Sequence, residues 1–137
     1  MNIALTGSSG LIGSQLLKDL RNLGHEVLCI SSSHSAHNEN IFLYEELQSK
    51  EISFTADLII HLASRNSNLD ELEIPLEIEL LKKVVDCMGN LNCKNIIFFS
   101  SIKVYGENSF NSNLINVNEN FTKAPECSYG IAKELCE

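Results

Sequence analysis

Four stretches of this chain carry unbroken apolar runs: Asn2–Thr6, His25–Ile30, Asp57–Ala63 ("DLIIHLA") and residues 95–101 ("NIIFFSS"). None alternates apolar with polar residues. A strand that is apolar on both faces has to be covered on both faces, the condition of a parallel sheet between helices. Helical stretches lie between these runs. Ile12, Leu16, Leu20 and Leu23 form one stripe of a helix over Leu11–Leu23, and Gly24 suits its C-terminal end. Leu69–Met88 reads as a second helix, with Pro75 near its first turn or at a break. A third helix begins in "SYGIAKELCE", with Ser128 in its N-cap region. Ile41–Gln48 is a short strand, a helical turn, or both in sequence. The polar stretches Ser31–Asn40 and 106–124 read as loops. The order predicts a doubly wound α/β fold.

The sequence has 137 residues, which fits one domain over 1–137 with a core large enough to need no disulfide staples. A formal net charge of −8 argues against nucleic acid or an anionic membrane as partner, since both require clustered Lys and Arg. It leaves room for an anionic small ligand held by backbone N–H groups. No segment reaches the roughly 18 apolar residues of a membrane helix, and no signal-peptide pattern precedes the first strand. The 5 cysteines include no CxxC pair. Free thiols in a reducing cytoplasm follow, with no metal site, because no Cys/His set has ligand spacing.

Gly7, Gly10 and Gly13 occupy the turn between the first strand and the first helix, in "TGSSGLIG". Gly7 can take a turn closed to residues with a Cβ. Gly10 can let backbone approach a pyrophosphate, and Gly13 can let the helix pack closely. The amides of Ser9, Gly10, Leu11, Ile12 and Gly13 then face a phosphate at a helix N-terminus. A glycine-rich turn without a ligand is the plain alternative. Farther along, Tyr129 and Lys133 stand four apart at the start of a helix and share one face. A nearby ammonium favours the phenolate and makes Tyr a better proton-transfer group near neutral pH. The same spacing also arises by chance.

Four motifs together resemble the extended short-chain dehydrogenase/reductases, the NAD-dependent epimerase/dehydratase family acting on nucleotide sugars. They are "TGSSGLIG", "DLIIHLAS", "NIIFFSSIKVYG" and "YGIAK", in that order along nearly the whole chain. The resemblance implies a Rossmann-type NAD(P)-binding domain over 1–137, the N-terminal part of a longer enzyme with its substrate-binding part missing. It assigns Tyr129 as general acid/base and Lys133 as its electrostatic partner and a ligand of the nicotinamide ribose. It gives Ser101 the hydrogen bond to the substrate hydroxyl or carbonyl. Ser31, Leu62 and Ala63 are implied in cofactor binding, and Asp57 at the adenine edge, with capping or turn closure as the plain reading of that Asp. Tyr105 is expected to be structural and His61 a satisfied core histidine. The acidic run "LDELEIPLEIEL" reads as the solvated face of a helix. The resemblance also implies a homodimer through the helices at 69–88 and 128–137, whose counterparts often form the interface in relatives.

Three departures stand out. Ser31, Ser32 and Ser33 end the second strand without the acid that marks NAD or the Arg that marks NADP. No Lys or Arg occurs between 22 and 49, which favours NAD, although serine hydroxyls or a protonated His34 could hold the NADP phosphate. The Asn-x-x-Gly-Thr pattern of the family is replaced by "IPLEIELLKK". Family members are also usually much longer. The expected function is an NAD(P)-dependent epimerase, dehydratase or reductase on a nucleotide sugar. The alternatives are a non-catalytic dinucleotide-binding or regulatory module, and a folded fragment that binds nothing.

Overall fold

In the computed structural model, residues 1–33, 41–49, 52–65, 68–106 and 117–137 are described. The chain comprises two compact units. The first comprises Met1–Ser64 and Lys82–Phe99, the second Arg65–Leu81 and Ser100–Glu137.

The first unit is built on five parallel strands: β1 (Asn2–Thr6), β2 (Glu26–Ser31), β3 (Ile41–Leu43), β4 (Leu58–His61) and β5 (Ile96–Phe98). Their order in the sheet is β3-β2-β1-β4-β5. Asn2 pairs with Glu26, and Thr6 with Ile30 on one side and His61 on the other, so the C-terminal ends of β1, β2 and β4 are level. This is the parallel sheet that the apolar runs require. Helix α1 (Leu11–Asn22) lays Leu17 into a cluster with Ile3, Leu5, Cys29, Ile41 and Ile60, with Leu16 and Leu20 packed against it. The alternate residues Ala4, Leu28, Ile30 and Ile59 are buried as well, so both faces of the central strands are covered. Gly24 takes φ +80° just past the end of α1, a conformation that suits glycine.

The ambiguous stretch after residue 40 is both things in sequence: β3 runs directly into α2 (Tyr44–Ser49), which buries Tyr44 and Leu47. The later half of α3 (Ile74–Asn90) belongs to this unit. Its Asn90 amide donates to the Leu47 carbonyl at 2.8 Å and Lys83 lies 3.6 Å from Glu45, which ties α3 to α2. β5 is shorter than the apolar run around it and lies at the sheet edge, where Ile96 and Ile97 are exposed.

The second unit contains the first turns of α3, a 3-10 turn at Ile102–Tyr105 and helix α4 (Ser128–Cys136). Asp70 and Glu73 form a reciprocal capping box before α3, and Pro75 falls in its first turn, where a missing N–H costs nothing. The α4 N-cap is Cys127 rather than Ser128: its sulfur accepts the Gly130 N–H at 3.4 Å. Of the stretch read as a loop over 106–124, residues 107–116 lie outside the described ones, as does most of the loop over 31–40, His34 included.

Candidate active site

The glycine turn is in the first unit. Gly7 has φ +71°, the left-handed region that favours glycine, and a Cβ there would lie 2.7 Å from the Ala63 nitrogen. A Cβ on Gly13 would lie 2.0 Å from the Gly7 carbonyl oxygen. Gly13 therefore lets the helix start against the turn itself, a more local contact than helix against sheet. Gly10 differs from both. A Cβ there would meet only that same oxygen, at 3.3 Å. Gly10 donates its N–H to the Gly7 carbonyl at 3.0 Å, and as N-cap of α1 it offers no side-chain hydrogen bond to the helix amides. The first-turn N–H groups of a helix have no intrahelical acceptor. Here they lie under exposed residues: Leu11 is 94% exposed. A cradle of amides, uncapped and open, fits an anionic diphosphate.

The neighbouring strand ends close the rim of that turn. The Thr6 hydroxyl accepts the Ala63 N–H at 3.1 Å and shares a 2.6 Å hydrogen bond with His61 Nδ1. Leu62 and Ala63 thus lie with their backbone against Gly7, and His61 is a buried partner of Thr6 stacked on Phe98. Ser31 follows the residue paired with Thr6, at the same level of the sheet, and its hydroxyl accepts the Ser33 N–H at 3.3 Å.

Asp57 stands elsewhere. It precedes β4 and pairs with Asn2 at the N-terminal end of the strands: its carboxylate accepts the Asn2 N–H at 2.7 Å and its N–H donates to the Asn2 carbonyl at 2.8 Å. Four residues of parallel strand, about 13 Å, separate that end of the sheet from the glycine turn. The expected adenine contact at Asp57 is corrected to the structural alternative, closure of the strand start.

The second unit gathers Ser101, Tyr129 and Lys133. Ser101 caps the 3-10 turn, its hydroxyl accepting the Lys103 N–H at 3.3 Å. α4 meets that turn through Gly130, where a Cβ would lie 2.6 Å from the Lys103 carbonyl oxygen. The glycine inside "YGIAK" is what lets the helix bearing Tyr129 and Lys133 approach the turn bearing Ser101. Tyr129 is half-buried, and the Lys133 ammonium lies 5.6 Å from its ring centroid. The Tyr105 ring lies edge-on to Phe121, with centroids 6.2 Å apart. Ser100 donates to the Glu137 carboxylate, which Lys123 also contacts. These two partners hold the Glu137 carboxyl below its usual range.

One residue of this unit escaped the sequence. Glu77 was read with the solvated acidic face, yet its side chain is 2% exposed and lies 2.9 Å from Lys133 Nζ. Its spacing from the buried Val84 and Cys87 puts it on the inner stripe of α3, which is the signal that could have found it.

The profile of the NAD dependent epimerase/dehydratase family matches residues 3–137. A UDP-glucose 4-epimerase from Vibrio cholerae is 29% identical over 156 aligned positions, covering 99% of this chain and 45% of that protein. Among solved structures, UDP-N-acetylglucosamine 4-epimerase from Bacillus cereus superposes with a TM-score of 0.78 at 25% identity, covering 99% of this chain and 48% of that one. UDP-glucose 4-epimerase from Thermotoga maritima, solved with UDP-glucose, gives 0.75 at 25%, over 99% and 48%. The chain thus spans about half the length of these relatives.

Proposed function

Because this chain belongs to the NAD-dependent epimerase/dehydratase family, we propose that it is the dinucleotide-binding and proton-transfer part of an oxidoreductase or epimerase acting on a nucleotide sugar. The observation that carries the reading is the uncapped, exposed start of α1 beside a left-handed Gly7. Ser9, Gly10, Leu11, Ile12 and Gly13 would hold the diphosphate of NAD, with Ser31, Leu62 and Ala63 at the rim of the turn. NAD is favoured over NADP because the sequence has no Lys or Arg between 22 and 49 to meet the extra phosphate. When bound, NAD supplies the hydride acceptor. Tyr129 takes the proton of the sugar hydroxyl at its phenolic oxygen and returns it in the reverse direction. Lys133 supports the phenolate by its charge, and Ser101 donates its hydroxyl hydrogen to the substrate oxygen. The UDP-sugar chemistry of the relatives supports a nucleotide sugar as substrate. Exposed Leu76 and Ile78 on the first turns of α3 and Leu135 on α4, all in the second unit, support a homodimer through these helices.

A second reading, a dinucleotide-binding module without turnover, draws on one observation: the ammonium of Lys133 is buried and already paired. The test for both is ligand-dependent melting. A ligand that binds the folded form alone raises its melting temperature, by an amount that grows with concentration. NAD should raise it, NADP less, and Gly10→Val should remove the rise while Tyr129→Phe keeps it. No rise with either dinucleotide ends both readings. Binding without any turnover of a UDP-sugar selects the second.

A further inference from the structure

The Tyr129/Lys133 pair has a third member. Glu77 Oε1 lies 2.9 Å from Lys133 Nζ, and Glu77 Oε2 accepts the Arg65 N–H at 2.9 Å. One carboxylate oxygen faces the ammonium while the other is tied to backbone, so the carboxylate cannot swing away without breaking a second bond. Lys133 in turn stands 5.6 Å from the centre of the Tyr129 ring. A lone ammonium at that place would favour the phenolate. With a carboxylate in contact on it, the two charges cancel at distance and Tyr129 faces a dipole. Stability does not account for the arrangement, because a buried ion pair gains little over an apolar pair of the same size.

We propose that Glu77 is a positioning residue of the Tyr129/Lys133 pair: it anchors the Lys133 ammonium and, by compensating its charge, sets how readily Tyr129 ionises. The proposal rests on reading Tyr129 and Lys133 as the acid/base pair. Other titratable groups lie on the elements around them, Lys103 and Tyr105 on the 3-10 turn that α4 meets at Gly130. Cys136, on α4, feels both Glu77 and Lys133, and burial pushes its thiol up. The Arg65 guanidinium is turned to Glu73 at 3.5 Å, and Lys123 to Glu137. Glu134 lies within the field of Lys123.

The test is a pH titration of the whole chain, followed by tyrosinate absorbance, with the matching Tyr129→Phe background subtracted to isolate Tyr129. In Glu77→Gln the ammonium loses its carboxylate and the phenolate is the counter-charge left to it, so the Tyr129 midpoint falls. Thiolate absorbance reports Cys136 separately. Glu77→Asp keeps the charge but shortens the reach, and its midpoint falls between the native chain and Glu77→Gln. If Glu77→Gln does not fold, Glu77→Asp carries the test. A midpoint unmoved or raised in the Glu77 variants overturns the proposal, since a merely structural role would lower stability and leave the midpoint in place. Lys133→Met separates the two levels. Loss of the cation beside a retained Glu77 should raise the midpoint. If it does not, the Tyr129/Lys133 pair itself fails. If it does while the Glu77 variants stay put, only the role of Glu77 fails.

Discussion

Lys133 Nζ and Glu77 Oε1 form a 2.9 Å ion pair with 2% of each side chain exposed. Each charge is out of water, so each depends on the other for compensation. Breaking such a pair from one side strands a buried charge, whereas removing both sides does not. Lys133→Met should therefore cost about 3–5 kcal/mol in urea unfolding. The double variant Lys133→Met/Glu77→Leu should regain most of that loss. Additive losses in the two positions would show that the pair is not closed off from water.

The three glycines of the turn should separate by mutation. A Cβ on Gly13 would sit 2.0 Å from the Gly7 carbonyl oxygen, far inside contact distance, against backbone that cannot yield cheaply. Gly13→Ala should lose stability at the upper end of the about 1–3 kcal/mol typical of overpacking, or more. Gly10→Ala meets the same oxygen at 3.3 Å and should melt close to the native chain. Equal melting of the two variants would contradict this division between folding and ligand approach.

Thr6 joins two strands with one hydroxyl. Thr6→Val keeps the shape but leaves the Ala63 N–H and His61 Nδ1 without that partner, in a place where Thr6 and His61 are buried. A loss of about 1–3 kcal/mol is expected from chemical denaturation. A neutral substitution would mean that water replaces the hydroxyl.

Tyr44 sets an alkaline limit. Burial pushes its hydroxyl up to about 12 from an ordinary 10.0; Thr6 offsets this only in part, its oxygen being engaged by His61 and Ala63. No hydrogen bond of normal geometry reaches the Tyr44 hydroxyl. The neutral form is the one the fold accepts. The unfolded chain releases this proton first, so the associated stability is complete below pH 10 and is lost as pH rises toward 12. Cys87, pushed up by burial to about 11 from 9.0, adds the same sense of change between those values. Tyr44→Phe should match or exceed native stability at neutral pH, because it removes a buried hydroxyl with no hydrogen bond. It should also flatten unfolding between pH 10 and 12. A loss of more than about 1 kcal/mol at pH 7 would contradict the unbonded hydroxyl.

What could be read from the residues in order was what depends on near neighbours. Unbroken apolar runs imposed a parallel sheet with two covered faces. The stripe of Leu16 and Leu20 imposed α1, and Gly7 and Gly13 marked a turn that other residues could not make. Strand period, helix period and backbone sterics all act over a few positions, so they survive in the one-dimensional text. The family motifs marked Ser101, Tyr129 and Lys133 as candidates in the same way. Tertiary packing decided the rest. It sent Asp57 to the far end of the sheet from the glycine turn, because parallel pairing levels Asp57 with Asn2 rather than with Thr6. It turned Glu77 inward, where a cation from a distant helix became its partner. A carboxylate in an acidic run is indifferent to burial until a counter-charge meets it, and that meeting is a property of the folded chain.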